Sequence, residues 1–461
     1  MEREYDVIVI GTGVAGSDVA LRCREAGLQV AITDHRSYGG TCALRGCVPK
    51  WVLAGAAEAV SRIHNQQGAG IRGTVSIDWP ELIAFERSFT DPVPQRKEET
   101  FQGAGIHTYR GFARFAGPNQ VLIGDELFAA RHIVIATGAV PRPLGVPGAD
   151  LVTSSDDFFY LKALPERIVF IGGGYISFEF AHVATRAGAK AVILQRSGQV
   201  LKGFDHDIVD RLVQASRDIG IDIQVNMPLL SVEKAADGGL RVHAGKKGDE
   251  RIFEADMVIH GAGRVPAIEE LDPGAGEIET DRRGVRVNEH LQSVSNPAVY
   301  VAGDANPRGV PLTPVAVMDA HIVTDNILHG NTRTADYSVV PSAVFTTPPL
   351  AAVGLTEAAA KEKGVSYIVH SGDLSERFTN RATNLRPVAY KILIDSGSRR
   401  ILGAHLIGRH VEEVINVFAL AIKHGLTVDD LTLDAIPWAY PSNVYDIIYM
   451  GPPDGEDVEP E

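Results

Sequence analysis

The stretch YDVIVIGTGVAGSDVALRCREAGLQVAITD, residues 5–34, decides the fold. Its first six residues form an apolar run of the kind that predicts a strand buried on both faces. Gly11, Gly13 and Gly16 then lead into a segment rich in Ala and Val, which predicts a helix, and QVAITD predicts a second strand. The same order returns at 167–196 as RIVFIGG, GYISFEFAHVATRAGA and KAVILQR. Two βαβ units in one chain predict an α/β protein built on two Rossmann-like dinucleotide-binding domains.

In the first unit the glycines stand as G-x-G-x-x-G directly after a strand. The first permits the tight turn, the second lets a pyrophosphate approach the backbone, and the third lets helix and strand pack closely. Asp34, at the end of the next strand, is spaced to accept hydrogen bonds from ribose hydroxyls. The second unit has Gly172 and Gly174, with Ser177 in the third place. Its second strand ends on Gln195, where an acid would hold a free ribose 2′-hydroxyl, and Arg196 and Lys202 follow. Cations without an acid suit a 2′-phosphate, so the reading favours NADPH over NADH.

The chain has 461 residues, 45% of them hydrophobic, enough for several domains. The apolar strand HIVIATG ends in a Pro/Gly-rich connection near 145, and DMVIHGAGRVP makes a second such exit. AVYVAGDA (298–305) is a further strand, and from about 337 short strands alternate with the helix HVEEVINVFALAIKHG. That helix has an apolar face too wide for solvent, so it is expected to pack on a sheet or a partner subunit. The tail GPPDGEDVEPE is expected to fray. No secretory signal opens the chain, and its apolar runs fall well short of the roughly 20 residues that span a bilayer. The net charge of −14 argues against nucleic-acid binding. Three cysteines are too few for a secreted disulfide framework, which points to a reducing, cytoplasmic setting.

Cys23, at helical spacing in SDVALRCREAG, reads as a buried structural thiol. Cys42 and Cys47 lie in GGTCALRGCVPKW, residues 39–51, and are expected in the first turns of one helix running on through VLAGAAEAVSRI. The dipole at a helix N-terminus favours the thiolate, so the pair offers a dithiol beside two dinucleotide sites. A metal site would need two more ligands nearby, and no metal is expected. Two buried, unpaired thiols are the alternative reading.

Seven motifs, VIGTGVAG, GGTCALRGCVPK, IATG, GGGYISFE, GAGRVP, VAGDA with LTPVA, and VFTTPPLAAVGLTE, together resemble the pyridine nucleotide-disulfide oxidoreductases, the family of glutathione reductase, dihydrolipoamide dehydrogenase and mercuric reductase. The resemblance covers essentially the whole chain. It implies an FAD-binding domain (1–145), an NAD(P)-binding domain (146–265), a central domain completing the FAD site (266–336) and a C-terminal α+β dimerisation domain (337–461) of a homodimer. It also implies that Gly11, Gly13, Gly16 and Asp34 hold the adenosine half of FAD and Asp304 the ribityl chain, with Thr313 and Ala316 beside the flavin. Thr41, Thr137, Gly138, Gly263 and Gly303 lie in the matching cofactor-binding motifs. Lys50 and Glu179 match the family's buried ion pair near the flavin. Cys47 matches the thiol facing the flavin and Cys42 the interchange thiol, which makes the pair a redox-active disulfide.

Several positions depart from the family pattern. Where disulfide reductases carry a His-Pro-Thr and a following Glu, this chain has Tyr440, Ser442 and Tyr445. Tyrosine, titrating near pH 10 in water, gives a proton more readily than it takes one. Tyr440 is expected either to act as a weak acid or to shape the pocket. Three glutathione contacts are replaced by Val14, Leu21 and His321, and His321 is a candidate for the missing base. The cysteine pair a mercuric reductase adds at its C-terminus is absent, and a lipoamide dehydrogenase would want an acid at Gln195. Pro92 and Pro94 are expected to break a helix near the cleft, since an interior proline costs about 3 kcal/mol. Arg45, inside the cysteine loop, is read as an anchor for an anionic acceptor, as support for the thiolates, or as a solvated charge; Trp51 replaces a common lysine. These features predict a small disulfide or other thiol-reactive acceptor. The alternatives are a flavin-based reductase of quinones, metal ions or oxidants with the dithiol ancillary, and a carrier-linked subunit acting on a protein-bound dithiol.

Overall fold

The structure is a computed structural model that describes residues 3–451; residues 452–461 of the acidic tail lie outside it. The helices used below are α1 (Val14–Glu25), α2 (Gly40–Arg45), α3 (Cys47–Asn65), α4 (Trp79–Thr90), α5 (Val93–Gly103), α6 (Tyr175–Arg186), α7 (His206–Asp218), α8 (Thr313–His329), α9 (Glu357–Glu362), α10 (Phe378–Arg381) and α11 (Val411–His424). Two compact units interleave along the chain. Among the described residues, one takes in those up to 49, 83–143 and 263–337, and the other 50–82, 144–262 and those from 338 on.

The first unit is built on a seven-stranded sheet. Arg3–Ile10 runs at its centre, parallel to both Val30–Asp34 and Glu126–Ile135, with Val7 opposite Val30 and Ile8 opposite Ile133. Val7, Ile8 and Val9 are fully buried because the sheet is covered on both faces, which is why this strand reads as a continuous apolar run. Val299–Val301 adds a parallel strand beside Glu126–Ile135.

The second unit contains a parallel four-stranded sheet in the order Asp222–Val225, Lys190–Gln195, Arg167–Ile171, Met257–His260. A three-stranded antiparallel sheet follows. The C-terminal part forms a five-stranded antiparallel sheet on which α11 buries Val414, Ile415 and Phe418. The wide apolar face expected of α11 is therefore largely spent on a sheet, and Leu420 is left exposed.

Two local expectations meet different outcomes. Pro92 does interrupt a helix: α4 ends at Thr90, Pro92 caps α5, and Pro94 falls in the first turn, where a missing N–H costs nothing. The cysteine stretch, however, is not one helix. Cys42 sits in the short α2, the chain breaks at Gly46, and Cys47 opens α3. The start of α3 folds back tightly on α2, so a side chain at Gly46 would stand 2.9 Å from the Thr41 carbonyl oxygen.

Candidate active site

In the first unit the crossing from strand to α1 has the geometry its glycines predict. A Cβ on Gly11 would meet the Ala136 carbonyl oxygen at 2.2 Å, and one on Gly16 would meet the Gly11 carbonyl oxygen at 2.0 Å. Gly13 faces open space apart from the Gly40 Cα at 3.7 Å, and α1 starts there without a side-chain cap. Uncapped N–H groups beside an open glycine are what a pyrophosphate needs. Asp34 Oδ2 accepts from the Thr12 amide at 2.9 Å and the Thr12 hydroxyl at 2.7 Å, while Oδ1 accepts from the Arg36 amide. The Thr12 hydroxyl in turn accepts from the Gly39 amide at 3.2 Å, at the cap of α2. The sequence carried no sign of Thr12, whose role depends on a contact 22 residues away.

The cysteines are held by the same unit. Gly40, the first residue of α2, packs so closely on Gly13 that a Cβ would come within 2.4 Å. Both thiols converge on one hydroxyl at the head of α8: Thr313 Oγ1 donates to Cys42 Sγ at 3.0 Å and lies 3.3 Å from Cys47 Sγ. Hydrogen bonding to Cys47 and burial push the Cys42 thiol up from its ordinary value. The short helix α2 that carries Cys42 has only six residues, and the neighbouring sulfur competes for the same proton. Cys23 is fully buried, and burial pushes its thiol up to about 12.

Ala316 lies buried one turn beyond Thr313, and a Cβ on Gly303 would contact both Ala316 and Ala15. Burial pushes the Asp304 carboxyl up, opposed by Arg264. Asp319 ties this segment to α8, accepting from the Gly303 amide (3.0 Å), the Asn306 amide group (2.9 Å) and the Tyr337 hydroxyl (2.6 Å). The sequence reading missed Asp319, although an acid inside the apolar run TPVAVMDAHIV was its signal. The Thr137 hydroxyl is buried without a hydrogen-bond partner, next to Gly138 at φ +71°. The unpartnered Thr137, the open Gly13 and the half-buried Asp304 fit a large polar cofactor such as FAD.

In the second unit Lys50 Nζ contacts Glu179 Oε2 at 2.6 Å, and the two side chains are only 10% and 4% exposed. Glu179 Oε1 accepts from the Phe345 amide at 3.0 Å, and the Lys50 ammonium lies 4.9 Å from the centre of the Tyr175 ring and 5.6 Å from that of Phe345. A buried ion pair survives only with such additional partners. Trp51 stacks edge-on against Phe345 at 5.0 Å.

The second crossing repeats the first with changes. Gly172 has φ +102°, and a Cβ there would meet the Gly261 carbonyl oxygen at 2.3 Å; Gly174 faces nearly open space and caps α6 without a side-chain bond. Gln195 Oε1 accepts from the Gly173 amide at 3.0 Å, and its Nε2 donates to the Ser197 hydroxyl and the Gln199 carbonyl. Arg196 and Lys202 are both exposed, and neither has an ion-pair partner among the described residues.

Of the residues read as possible proton carriers, Tyr440 and Tyr445 belong to the second unit and His321 to the first. Tyr440 is 62% exposed and belongs to an aromatic cluster, 5.0 Å from the Tyr445 ring and 6.3 Å from Phe378. His321 is not brought to the thiols. Its Nε2 lies 3.2 Å from Asp18 and 2.6 Å from Arg22, and it stands eight residues, about 12 Å of helix, beyond Thr313. An arginine and an aspartate on α1 occupy the ring that would have served as base.

Comparison with known proteins gives consistent matches along the chain. Residues 5–320 match the pyridine nucleotide-disulphide oxidoreductase family, and residues 340–442 match its dimerisation domain. A glutathione reductase of Burkholderia cepacia is 33% identical over 429 residues, 93% of this chain and 94% of its own. A mercuric reductase of Lysinibacillus sphaericus is 30% identical over 444 residues, 95% of this chain and 80% of its own. Among solved structures, the Cu(II) complex of the HOCl-induced flavoprotein disulfide reductase RclA from Escherichia coli has a TM-score of 0.86 at 27% identity, covering 98% of this chain and 99% of that one.

Proposed function

The chain belongs to the pyridine nucleotide-disulphide oxidoreductases, with Rossmann-type FAD- and NAD(P)-binding domains and a C-terminal dimerisation domain, and we propose that it is a homodimeric, cytoplasmic, NADPH-dependent reductase acting through Cys42 and Cys47. The observation that carries this reading is the convergence of both thiols on the Thr313 hydroxyl. Two sulfurs sharing one hydrogen-bonding group are close enough for disulfide exchange.

Bound FAD supplies a two-electron relay between reduced nicotinamide and the Cys42–Cys47 pair. Gly11, Gly13, Gly16, Asp34, Thr41, Thr137, Gly138, Gly263, Gly303, Asp304, Thr313 and Ala316 would hold it, and Gly172, Gly174, Arg196 and Lys202 would hold the nicotinamide nucleotide. The Lys50–Glu179 pair matches the buried ion pair the family uses in flavin reduction, and that role is proposed for it here. The Cys42 thiolate attacks one sulfur of an acceptor disulfide, forming a mixed disulfide and expelling one thiolate. The Cys47 thiolate then attacks Cys42, re-forming the Cys42–Cys47 bond and expelling the second. Two electrons reach the acceptor, and two protons from solvent complete its thiols. The four stretches 1–145, 146–265, 266–336 and 337–461 serve as the FAD-binding, NAD(P)-binding, central and interface parts.

A second reading, metal-ion reduction, has one specific support: the solved complex of RclA, similar over 98% of this chain, holds Cu(II). Anaerobic titration with NADPH, and separately with NADH, tests the proposal. A long-wavelength thiolate-to-flavin band with NADPH in the wild type, lost in Cys47→Ser, supports it. Flavin bleaching without that band bypasses the cysteines and leaves metal ions or quinones as acceptors. Because Cys42 is pushed up, its thiolate fraction grows with pH, so reduction of a small disulfide should accelerate through the alkaline range. A pH-independent rate would remove Cys42 as the attacking thiol.

A further inference from the structure

Helix α6 carries three polar side chains on one face, Glu179, His182 and Arg186. All three reach the segment 345–347, which follows strand Ser342–Val344. Glu179 Oε1 accepts from the Phe345 amide at 3.0 Å, His182 Nδ1 accepts from the Thr347 amide at 3.2 Å, and Arg186 Nη2 donates to the Thr347 carbonyl at 2.8 Å. Arg186 Nη1 also donates to His182 Nδ1 and to the His182 carbonyl, each at 3.2 Å.

The remaining bonds decide where the histidine proton sits. Nδ1 faces only donors, so the proton belongs on Nε2, which lies 2.8 Å from the Ser216 hydroxyl on α7. The Ser216 hydroxyl in turn donates a hydrogen bond to the Leu212 carbonyl at 2.7 Å. The chain of donors closes without a charge on the ring. His182, Ser216 and Thr347 are buried, and the half-buried Arg186 guanidinium, whose bonds go to neutral acceptors, is pushed down by desolvation to about 10. Burying a cation on neutral groups is costly, and apolar side chains would fill the same volume more cheaply.

We propose that His182 and Arg186 are positioning residues for the reductive half of the reaction, holding segment 345–347 so that the Phe345 amide stays on Glu179 and its ring stays beside the Lys50 ammonium. The inference rests on the role proposed above for the Lys50–Glu179 pair. Without the Thr347 anchor, Phe345 is free to leave Glu179, and the ion pair loses both its backbone donor and its aromatic wall. The second half of the cycle, thiol exchange at Cys42, uses none of these groups.

The test uses the FAD-loaded protein and three readouts: amide hydrogen exchange of a peptide spanning 345–347, the single-turnover rate of flavin bleaching by NADPH, and the rate at which prereduced protein cleaves an aromatic disulfide. His182→Leu is expected to speed exchange and slow bleaching, each by about tenfold, and to leave disulfide cleavage unchanged. His182→Asn, whose Oδ1 takes the place of Nδ1, is expected to restore both. If His182→Leu does not fold, Ser216→Ala frees the ring and should give a loss of about threefold in the same two readouts. Faster exchange with an unchanged bleaching rate would overturn the proposal, because the network would then only support the fold. Equal slowing of both half-reactions would overturn it as well. Lys50→Met separates the two levels of the argument: unchanged bleaching in that variant removes the role of the ion pair itself, whereas slowed bleaching there with unaffected His182 variants removes only the inference.

Discussion

At the first crossing the Thr12 amide donates to Asp34 at 2.9 Å, and at the second the Gly173 amide donates to Gln195 at 3.0 Å. In both, the side chain ending the second strand reaches back to the residue after the first glycine and fixes the turn. In both, the second glycine faces open space and opens an uncapped helix. The difference lies in what the end residue has left over. Asp34 is a carboxylate whose Oδ1 accepts from the Arg36 amide and has one further lone pair. Gln195 is neutral, and its donors are spent within its own loop on Ser197 and Gln199. A shared backbone device thus supports two electrostatic settings, one suited to ribose hydroxyls and the other to a phosphate met by Arg196 and Lys202.

The third position separates the crossings sterically. Gly16 leaves no room for a side chain, whereas Ser177 is accommodated because Gly261 lies opposite; a Cβ on Gly261 would stand 2.0 Å from the Ser177 hydroxyl. The largest expected effect follows from this. Gly16→Ala should cost about 3 kcal/mol or more, leaving protein purified without bound flavin, as absorbance and thermal melting would show. Retention of flavin at wild-type stability would mean the first crossing tolerates what the second does. Next in size, Asp34→Asn keeps the bond to Thr12 but removes the charge, and flavin affinity should fall by about tenfold or more, measured by fluorescence of released FAD.

A smaller, selective effect is expected at the second crossing. The double change Arg196→Ala and Lys202→Ala should raise the KM for NADPH by about tenfold and leave that for NADH within about twofold. Equal losses for both nucleotides would assign the two cations to the fold rather than to the 2′-phosphate. The smallest effect belongs to Ser177→Gly, which removes a buried hydroxyl without a hydrogen-bond partner. Loss of helix propensity, worth about 0.5 kcal/mol between serine and glycine, is offset by relief of that polar atom, so the melting midpoint should move by no more than a few degrees.

Strand and helix periodicity made the two βαβ units legible, because buried parallel strands leave continuous apolar runs and crossings need glycine. The same reading located Asp34 and Gln195, since each ends a strand at a fixed distance from its glycines. It misjudged the cysteine stretch. Helical spacing alone does not reveal that Gly46 packs on Thr41, and a break there places Cys42 and Cys47 on separate helices. His321 was a reasonable candidate base by residue type, but its surroundings on α1, Asp18 and Arg22, are 299 or more residues away in the chain.

The sequence by itself determined the α/β class, the two crossings and the charge at each, because these depend on residues within about 30 positions of one another, where periodicity and turn chemistry act. Only the tertiary structure decided which groups meet: both cysteines on Thr313, Asp34 through Thr12 to Gly39, Lys50 with Glu179 and Phe345, and His182 with Thr347. Those pairings join residues 22 to 271 positions apart, and they share one physical origin. Buried polar atoms must find partners, and which partner is within reach is set by the packing of whole elements rather than by local sequence.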